Sequence, residues 1–148
     1  MGLYFTNQST TSLVGFADAG YLSDPHTRRS QTGYLFTSGG TAISWCSVKQ
    51  TITATSSNHA EILAIHEASR ECVWLRSVIQ HIRGSCGIST IDEGPTILHE
   101  DNAACIAQLK EGYIKDLFTK SLPTSTFKKL VHGIGMRQLK ELKSSGGE

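Results

Sequence analysis

A long helical pattern in the middle of the chain constrains the fold more than any other feature. Residues 61, 65, 68, 72, 75 and 79 follow alternating intervals of four and three, which predicts one core-facing side of a helix running to about His81. Glu61 is the only charged member of this stripe. Asn58 lies three residues before it, in the position of a helix cap.

Strand patterns lie on both sides of this helix. Residues 13–19, 32–38 and 42–46 predict three strands before it, and the pair Gly39-Gly40 predicts a tight hairpin between the second and the third. Residues 96–100 predict a fourth strand and residues 102–110 a short helix. A strand that follows a crossover helix lies parallel to an earlier strand. We therefore expect an α/β fold with a mixed sheet of three antiparallel strands, then a parallel strand, and flanking helices.

Three carboxylates lie directly beside apolar segments, where no neighbouring residue in the sequence explains a charge. Asp18 closes the first strand, Glu61 opens the long helix and Asp101 follows the fourth strand. Acids that converge on one point repel one another, so we expect a cation between them, and oxygen-only ligands favour Mg²⁺. Two such ions are a common apparatus for phosphodiester hydrolysis. Glu100 adjoins Asp101, but strand alternation predicts that only one of these two side chains faces the site.

Each of these residues also has an ordinary explanation. Asp18 could be a solvated acid at a strand end, and Glu61 could serve only the positive end of its helix. Arg28, Arg29 and Lys49, together with Lys128 and Lys129, either contact phosphate or form solvated surface. We expect Trp45 and Trp74 in the core rather than as stacking platforms for bases.

Charge and cysteine usage narrow the class of protein. A net charge of +1 creates no strong positive field, so any contact with phosphates needs a local patch. The four cysteines lack the spacing of a zinc site and indicate free thiols in a reducing interior. No export signal and no apolar run of about eighteen residues is present. We therefore expect an intracellular protein, cytoplasmic or nuclear, with no membrane partner.

Seven short blocks occur in an order that resembles a known family. They cover residues 15–21, 29–34, 43–45, 55–61, 72–76, 100–104 and 116–120. Over about residues 13–130 the chain is similar to the ribonuclease H domain at the end of Ty1/copia-type retrotransposon polyproteins, in particular plant copies. The resemblance implies a ribonuclease H-like fold and hydrolysis of the RNA strand of RNA–DNA hybrids. It also implies two Mg²⁺ ions, with Mn²⁺ as an alternative, and a reverse transcriptase in the same polyprotein as partner.

Carried over residue by residue, the resemblance assigns catalytic and metal-binding roles to Asp18, Glu61, Asp101 and Asp116. Family members carry a basic segment, a helix and the fifth strand of the sheet before the last of these acids, and this stretch is absent here. The fifth strand is therefore expected to be missing. We divide the chain into an N-terminal extension (residues 1–12), a truncated ribonuclease H-like domain (13–115) and a C-terminal helical segment with a tail (116–148). A basic helix, interrupted by Gly133 and Gly135, is predicted over residues 124–142.

Two functions stay open at this point. The first is a metal-dependent ribonuclease H. The alternative is a catalytically inactive remnant that acts at most as a nucleic-acid-binding or interaction domain. The absent stretch before Asp116 favours the alternative, and the order of the blocks favours the first. Oligomeric state is not indicated by the sequence.

Overall fold

The computed structural model describes residues 2–5, 12–88, 94–111 and 134–138. Within these residues the chain forms five strands and two helices. In order they are β1 (Leu13–Gly20), β2 (Gln31–Ser38), β3 (Thr41–Lys49), α1 (Ser57–Ser85), β4 (Thr96–Glu100), α2 (Ala103–Glu111) and β5 (Ile134–Gln138). The predicted order of the first six elements is confirmed, with boundaries that differ by a few residues.

The strands form one mixed sheet in the order β3-β2-β1-β4-β5. β1, β2 and β3 are an antiparallel meander, and β4 pairs with β1 in parallel after the crossover through α1. Gly39 and Gly40 form the hairpin between β2 and β3 with φ of 57° and 80°, a backbone that side chains other than glycine rarely adopt. The predicted α/β architecture is confirmed.

The prediction that the fifth strand is missing is wrong. β5 lies parallel to β4, with Ile134 opposite Thr96 and Gln138 opposite Glu100. The same residues fell within the predicted basic helix, and they form a strand instead. Glycine at positions 133 and 135 disfavours a helix, and a strand here satisfies the outer backbone groups of β4. The three-part division of the chain stays a prediction, but β5 joins its last part to the sheet.

α1 packs along one face of the sheet through the predicted stripe. Its buried members contact a core formed by Leu13, Ala17, Phe36 and Leu98, and Ile79 packs at the edge of this core. The helix cap differs from the prediction: the Ser56 hydroxyl accepts a hydrogen bond from the His59 backbone N–H at 3.1 Å. Asn58 instead donates its side-chain amide to Gln108 on α2 at 2.7 Å. α1 therefore begins two residues earlier than the predicted cap at Asn58 implies.

Both tryptophans are exposed, so the expectation that they belong to the core is wrong. Trp45 on β3 is 65% exposed and Trp74 on α1 is 58% exposed. Trp74 lies on the side of α1 opposite to the buried stripe, so the helical period itself accounts for its exposure. In the part of the chain that the structure describes, no helix has the length and apolar character needed to span a bilayer.

Gly15 of β1 is required by the packing of the core. A Cβ at this position would lie 2.5 Å from Cε1 of Phe36 and 2.7 Å from Cδ1 of Leu98. We expect Gly15→Ala to lower the free energy of unfolding by about 1–3 kcal/mol, because both neighbours are fully buried and must shift. Urea denaturation measures the effect. Gly33→Ala in β2 is the control, since its nearest atom would be 3.7 Å away. Equal stability of the two variants would contradict this packing argument.

Candidate functional site

Three elements bring carboxylates to one edge of the sheet. The parallel strands β1 and β4 end at the same edge, with Asp18 near the end of β1 and Asp101 directly after β4. α1 begins at this edge and carries Glu61 in its second turn. Among the described residues, one oxygen from each of these side chains lies within 4.8 Å of the other two. The expected convergence of the three acids is therefore present. Asp116 lies outside the described residues, and its role stays a prediction.

Glu61 is the most buried of the three acids, at 8% exposure, whereas Asp18 and Asp101 are exposed. Burial, followed by the negative charges of Asp18 and Asp101, raises the pKa of Glu61 to about 7. The Ala19 backbone N–H donates a hydrogen bond to this carboxyl. The second oxygen, Oε2, is buried and has no hydrogen-bond partner among the described residues.

These features fit a hard divalent cation. All the donor atoms are oxygens, they lie close enough to share one ion, and a buried carboxylate oxygen is left without another partner. A cation would also offset the repulsion between the three charges. Asp18, Glu61 and Asp101 are the residues that would hold it.

Glu100 approaches the three-carboxylate group from the buried face of the sheet. Its side chain points to the buried face of the sheet and is 1% exposed, while Asp101 is exposed. α1 covers that same buried face, so the carboxyl groups of Glu100 and Glu61 lie close enough there to influence each other's pKa. Burial, aided by the negative charge of Glu61, raises the pKa of Glu100 to about 8, although the Asn102 backbone N–H has a lowering effect. Of these two adjacent acids, Asp101 belongs to the three-carboxylate group, as strand alternation predicts, and Glu100 lies on the buried side next to Glu61.

Glu100 also shapes the backbone that carries Asp101. Its Oε1 accepts hydrogen bonds from the backbone N–H groups of Asp101 and Asn102, both at 3.1 Å. The Asn102 side chain in turn accepts from the Cys105 backbone N–H at 3.0 Å and caps the start of α2. The turn that presents Asp101 is therefore held from both sides.

A cleft of about 390 Å³ opens beside the carboxylates. Gly33 lies directly across the β1–β2 ladder from Asp18, and the absence of a side chain there leaves space above this acid. Phe16 and His99 stack on each other nearby, with ring centroids 5.1 Å apart. The cleft is lined by Phe16, Ala17, Asp18, Gly33, Tyr34, Leu35, Cys46, His99, Glu100 and Asp101.

The described basic candidates are Arg28 and Arg29 in the loop between β1 and β2, and Lys49 at the end of β3. Asp24 holds the Lys49 ammonium at 2.6 Å, and this ion pair keeps the pKa of Asp24 well below its usual range. Arg28 and Arg29 are exposed, and Arg28 has φ of 53°. Of these three cations, the two arginines are therefore the more available to a phosphate. Lys128 and Lys129 lie outside the described residues.

Comparison with known proteins finds related sequences and a related fold. No family model matches the chain. The chain is 43% identical over 83 residues to Secreted RxLR effector protein 161 of Plasmopara viticola, which is 56% of this chain and 58% of that protein. It is 43% identical over 70 residues to the Retrovirus-related Pol polyprotein from transposon TNT 1-94 of Nicotiana tabacum, which is 47% of this chain and 5% of the polyprotein. The chain thus spans less than two thirds of the length of either relative.

The fold is similar to that of LC11-RNase H1, whose crystal structure was determined in complex with an RNA/DNA hybrid. The TM-score is 0.51, with coverage of 89% of this chain and 88% of that chain. Sequence identity is 14%, so this likeness concerns the fold alone.

Proposed function

We propose that this chain, a ribonuclease H domain of retrotransposon type, hydrolyses the RNA strand of RNA–DNA hybrids with the help of divalent metal ions. The observation that carries the proposal is the convergence of Asp18, Glu61 and Asp101 within 4.8 Å on a ribonuclease H fold. Sequence similarity to a retrotransposon Pol polyprotein and structural similarity to a hybrid-bound ribonuclease H support it.

The three acids would hold Mg²⁺, with Mn²⁺ as the alternative ion and Asp116 as the expected fourth ligand. When bound, such ions activate a water and stabilise negative charge on the phosphate. Asp18 and Asp101 are exposed beside the cleft and can face the scissile phosphate, whereas Glu61 is buried behind them. The open space above Gly33 lets a sugar–phosphate backbone approach Asp18. Arg28 and Arg29, which are exposed in the loop after β1, are the basic residues that we propose to bind a neighbouring phosphate electrostatically.

The biological setting is part of the same proposal. We infer a copia-type element as the source and a reverse transcriptase of the same polyprotein as the partner. We further propose an intracellular location, cytoplasmic or nuclear, because RNA–DNA hybrids arise where reverse transcription occurs. One relative is named a secreted effector, so localisation of a tagged chain is a direct check. Recovery of the tagged protein only outside the cell would contradict this part of the proposal.

Cleavage of defined nucleic acids tests the proposed function. We expect the purified protein to cut end-labelled RNA in an RNA–DNA hybrid with Mg²⁺ and to leave the same RNA intact in an RNA duplex. Recognition of the hybrid depends on 2′-hydroxyl groups along one strand only. EDTA should abolish cutting, and a DNA duplex of the same sequence should remain whole. Folded protein that binds the hybrid but does not cut it would contradict the proposal and support the inactive remnant.

A further inference from the structure

Gln50 is a buried polar side chain that the site described above does not use. It directly follows β3 and is 6% exposed. Its backbone N–H donates to the Ser30 carbonyl at 2.8 Å. The side-chain amide donates to the Thr32 hydroxyl of β2 at 3.1 Å and to the Ala60 carbonyl of α1 at 2.9 Å. One carboxamide therefore joins the sheet to the first turn of the helix.

The two acceptors of Gln50 lie immediately behind the carboxylate site. Ala60 precedes Glu61 in the chain and is fully buried. Thr32 lies opposite Ala19 in the β1–β2 ladder, and Ala19 donates its N–H to the Glu61 carboxyl. The contacts close a ring that fixes Glu61 relative to β1, the strand that carries Asp18.

The Gln50 carboxamide is poorly explained by stability alone. Its Oε1 is buried without a hydrogen-bond partner within the described ranges. A net hydrogen bond contributes about 1 kcal/mol, and an unsatisfied buried acceptor costs about 1–3 kcal/mol. The two donated bonds and the orphaned oxygen therefore roughly cancel. The remaining effect of this side chain is geometric. Its planar amide donates both hydrogen bonds and so fixes the position of Ala60 relative to Thr32.

We propose that Gln50 is a positioning residue of the carboxylate site, which sets the place of Glu61 by binding the Ala60 carbonyl and the Thr32 hydroxyl. This inference rests on the proposed function for its effect on metal binding. Gln50 does not touch the metal or the substrate. Loss of its amide frees the first turn of α1 and widens the range of positions that the Glu61 carboxylate samples.

Gln50→Met is the test variant, because methionine matches the length and volume of glutamine and removes both donors. Arg76→Met is the matched control. Arg76 also joins α1 to the sheet through two hydrogen bonds, to the Gly94 carbonyl at 2.8 Å and to the Thr96 hydroxyl at 2.9 Å. It lies about 24 Å along the helix from Ala60. Each variant loses two hydrogen bonds between α1 and its surroundings, at two well-separated points along the helix.

We expect Gln50→Met to weaken Mg²⁺ binding about 10–100-fold in calorimetric titration, the usual effect of losing a residue that supports a metal ligand. Arg76→Met should change the affinity less than about threefold even where both variants lower the melting temperature equally. Wild-type affinity in Gln50→Met, or equal loss in Arg76→Met, would overturn the inference. If Gln50→Met does not fold, the Mg²⁺ affinities of Thr32→Val and Thr32→Ser are compared instead. Thr32→Val removes the hydroxyl that accepts from Gln50 and should weaken Mg²⁺ binding, whereas Thr32→Ser keeps this hydroxyl and should keep the affinity.

Hydrogen exchange separates failure of this inference from failure of the proposed function. In the metal-free protein, Gln50→Met should speed amide exchange over residues 57–65 and leave residues 76–85 unchanged, while Arg76→Met should do the reverse. Absence of Mg²⁺ binding or cleavage in the wild type would contradict the proposed function. The exchange pattern would still show whether Gln50 restrains the first turns of α1. Unchanged exchange over residues 57–65 would show that Gln50 does not restrain this turn.

Discussion

Asp18→Asn is expected to lower the rate of hybrid cleavage at least about 100-fold while leaving the protein folded. The substitution removes the charge of one ligand of the three-carboxylate group. Even the loss of a residue that only supports a metal ligand lowers metal affinity or activity about 10–100-fold. The metal-free variant should also melt at a higher temperature than the wild type. The reason is that the charge of Asp18 raises the pKa of Glu61, so its loss relieves repulsion. Added Mg²⁺ should then raise the melting temperature less than in the wild type.

Asp24→Asn provides the matched control for this substitution. It makes the same chemical change at the same edge of the sheet, in an acid that is paired with Lys49 rather than with other carboxylates. We expect cleavage within about threefold of the wild type and an unchanged response of the melting temperature to Mg²⁺. Full activity in Asp18→Asn, or an equal loss in Asp24→Asn, would remove the carboxylate group from the mechanism.

The metal-free protein is expected to lose stability as the pH rises from 6.5 to 8. Burial and neighbouring charges raise the pKa of Glu61 from 4.5 to about 7, and burial raises that of Glu100 from 4.5 to about 8. An acid whose pKa is raised by folding stabilises the folded state fully below its unfolded pKa of about 4.5. This contribution disappears as the pH rises through the folded pKa values. Urea midpoints in EDTA measure the loss.

Above pH 6.5 the change in stability with pH reflects Glu61 and Glu100 rather than His66. Burial lowers the pKa of His66, which makes stability rise with pH, but only below the unfolded histidine value of 6.5. Saturating Mg²⁺ should flatten the pH dependence, since the cation stabilises the ionised carboxyl groups. Glu100→Gln should make the slope in EDTA shallower than in the wild type. A midpoint that stays constant or rises between pH 6.5 and 8 in EDTA would contradict the assigned pKa shifts.

Local patterns were sufficient to predict most of the fold. The helical stripe from Glu61 to Ile79 is buried as expected, because a period of 3.6 residues records which side of a helix faces the core. Strand alternation in β1 and the Gly39-Gly40 turn likewise depend on nearest neighbours. Predictions failed where distant segments decide the environment. Trp45 on β3 is exposed, and β5 occupies a sheet edge that the family resemblance left vacant.

The candidate site shows the same division. Asp18, Glu61 and Asp101 were identified from strand and helix ends, since the order of elements alone directs those ends to one edge of the sheet. The contributions of Glu100 and Gln50 were not predicted. Alternation correctly placed Glu100 on the buried face, but nothing local indicated that α1 presents Glu61 there. Gln50 meets Thr32 and Ala60, which are 18 and 10 residues away in the chain.

By itself, then, the sequence determined the order and type of the first six elements, the core-facing side of α1 and three acids of the site. The tertiary structure alone decided how deeply Glu61 is buried, which side chains restrain it and what pairs with the outer edge of β4. The physical reason is the range of the interactions. Periodicity and turn chemistry act over a few residues, whereas burial, pKa shifts and shared hydrogen bonds arise only when α1 settles on the sheet.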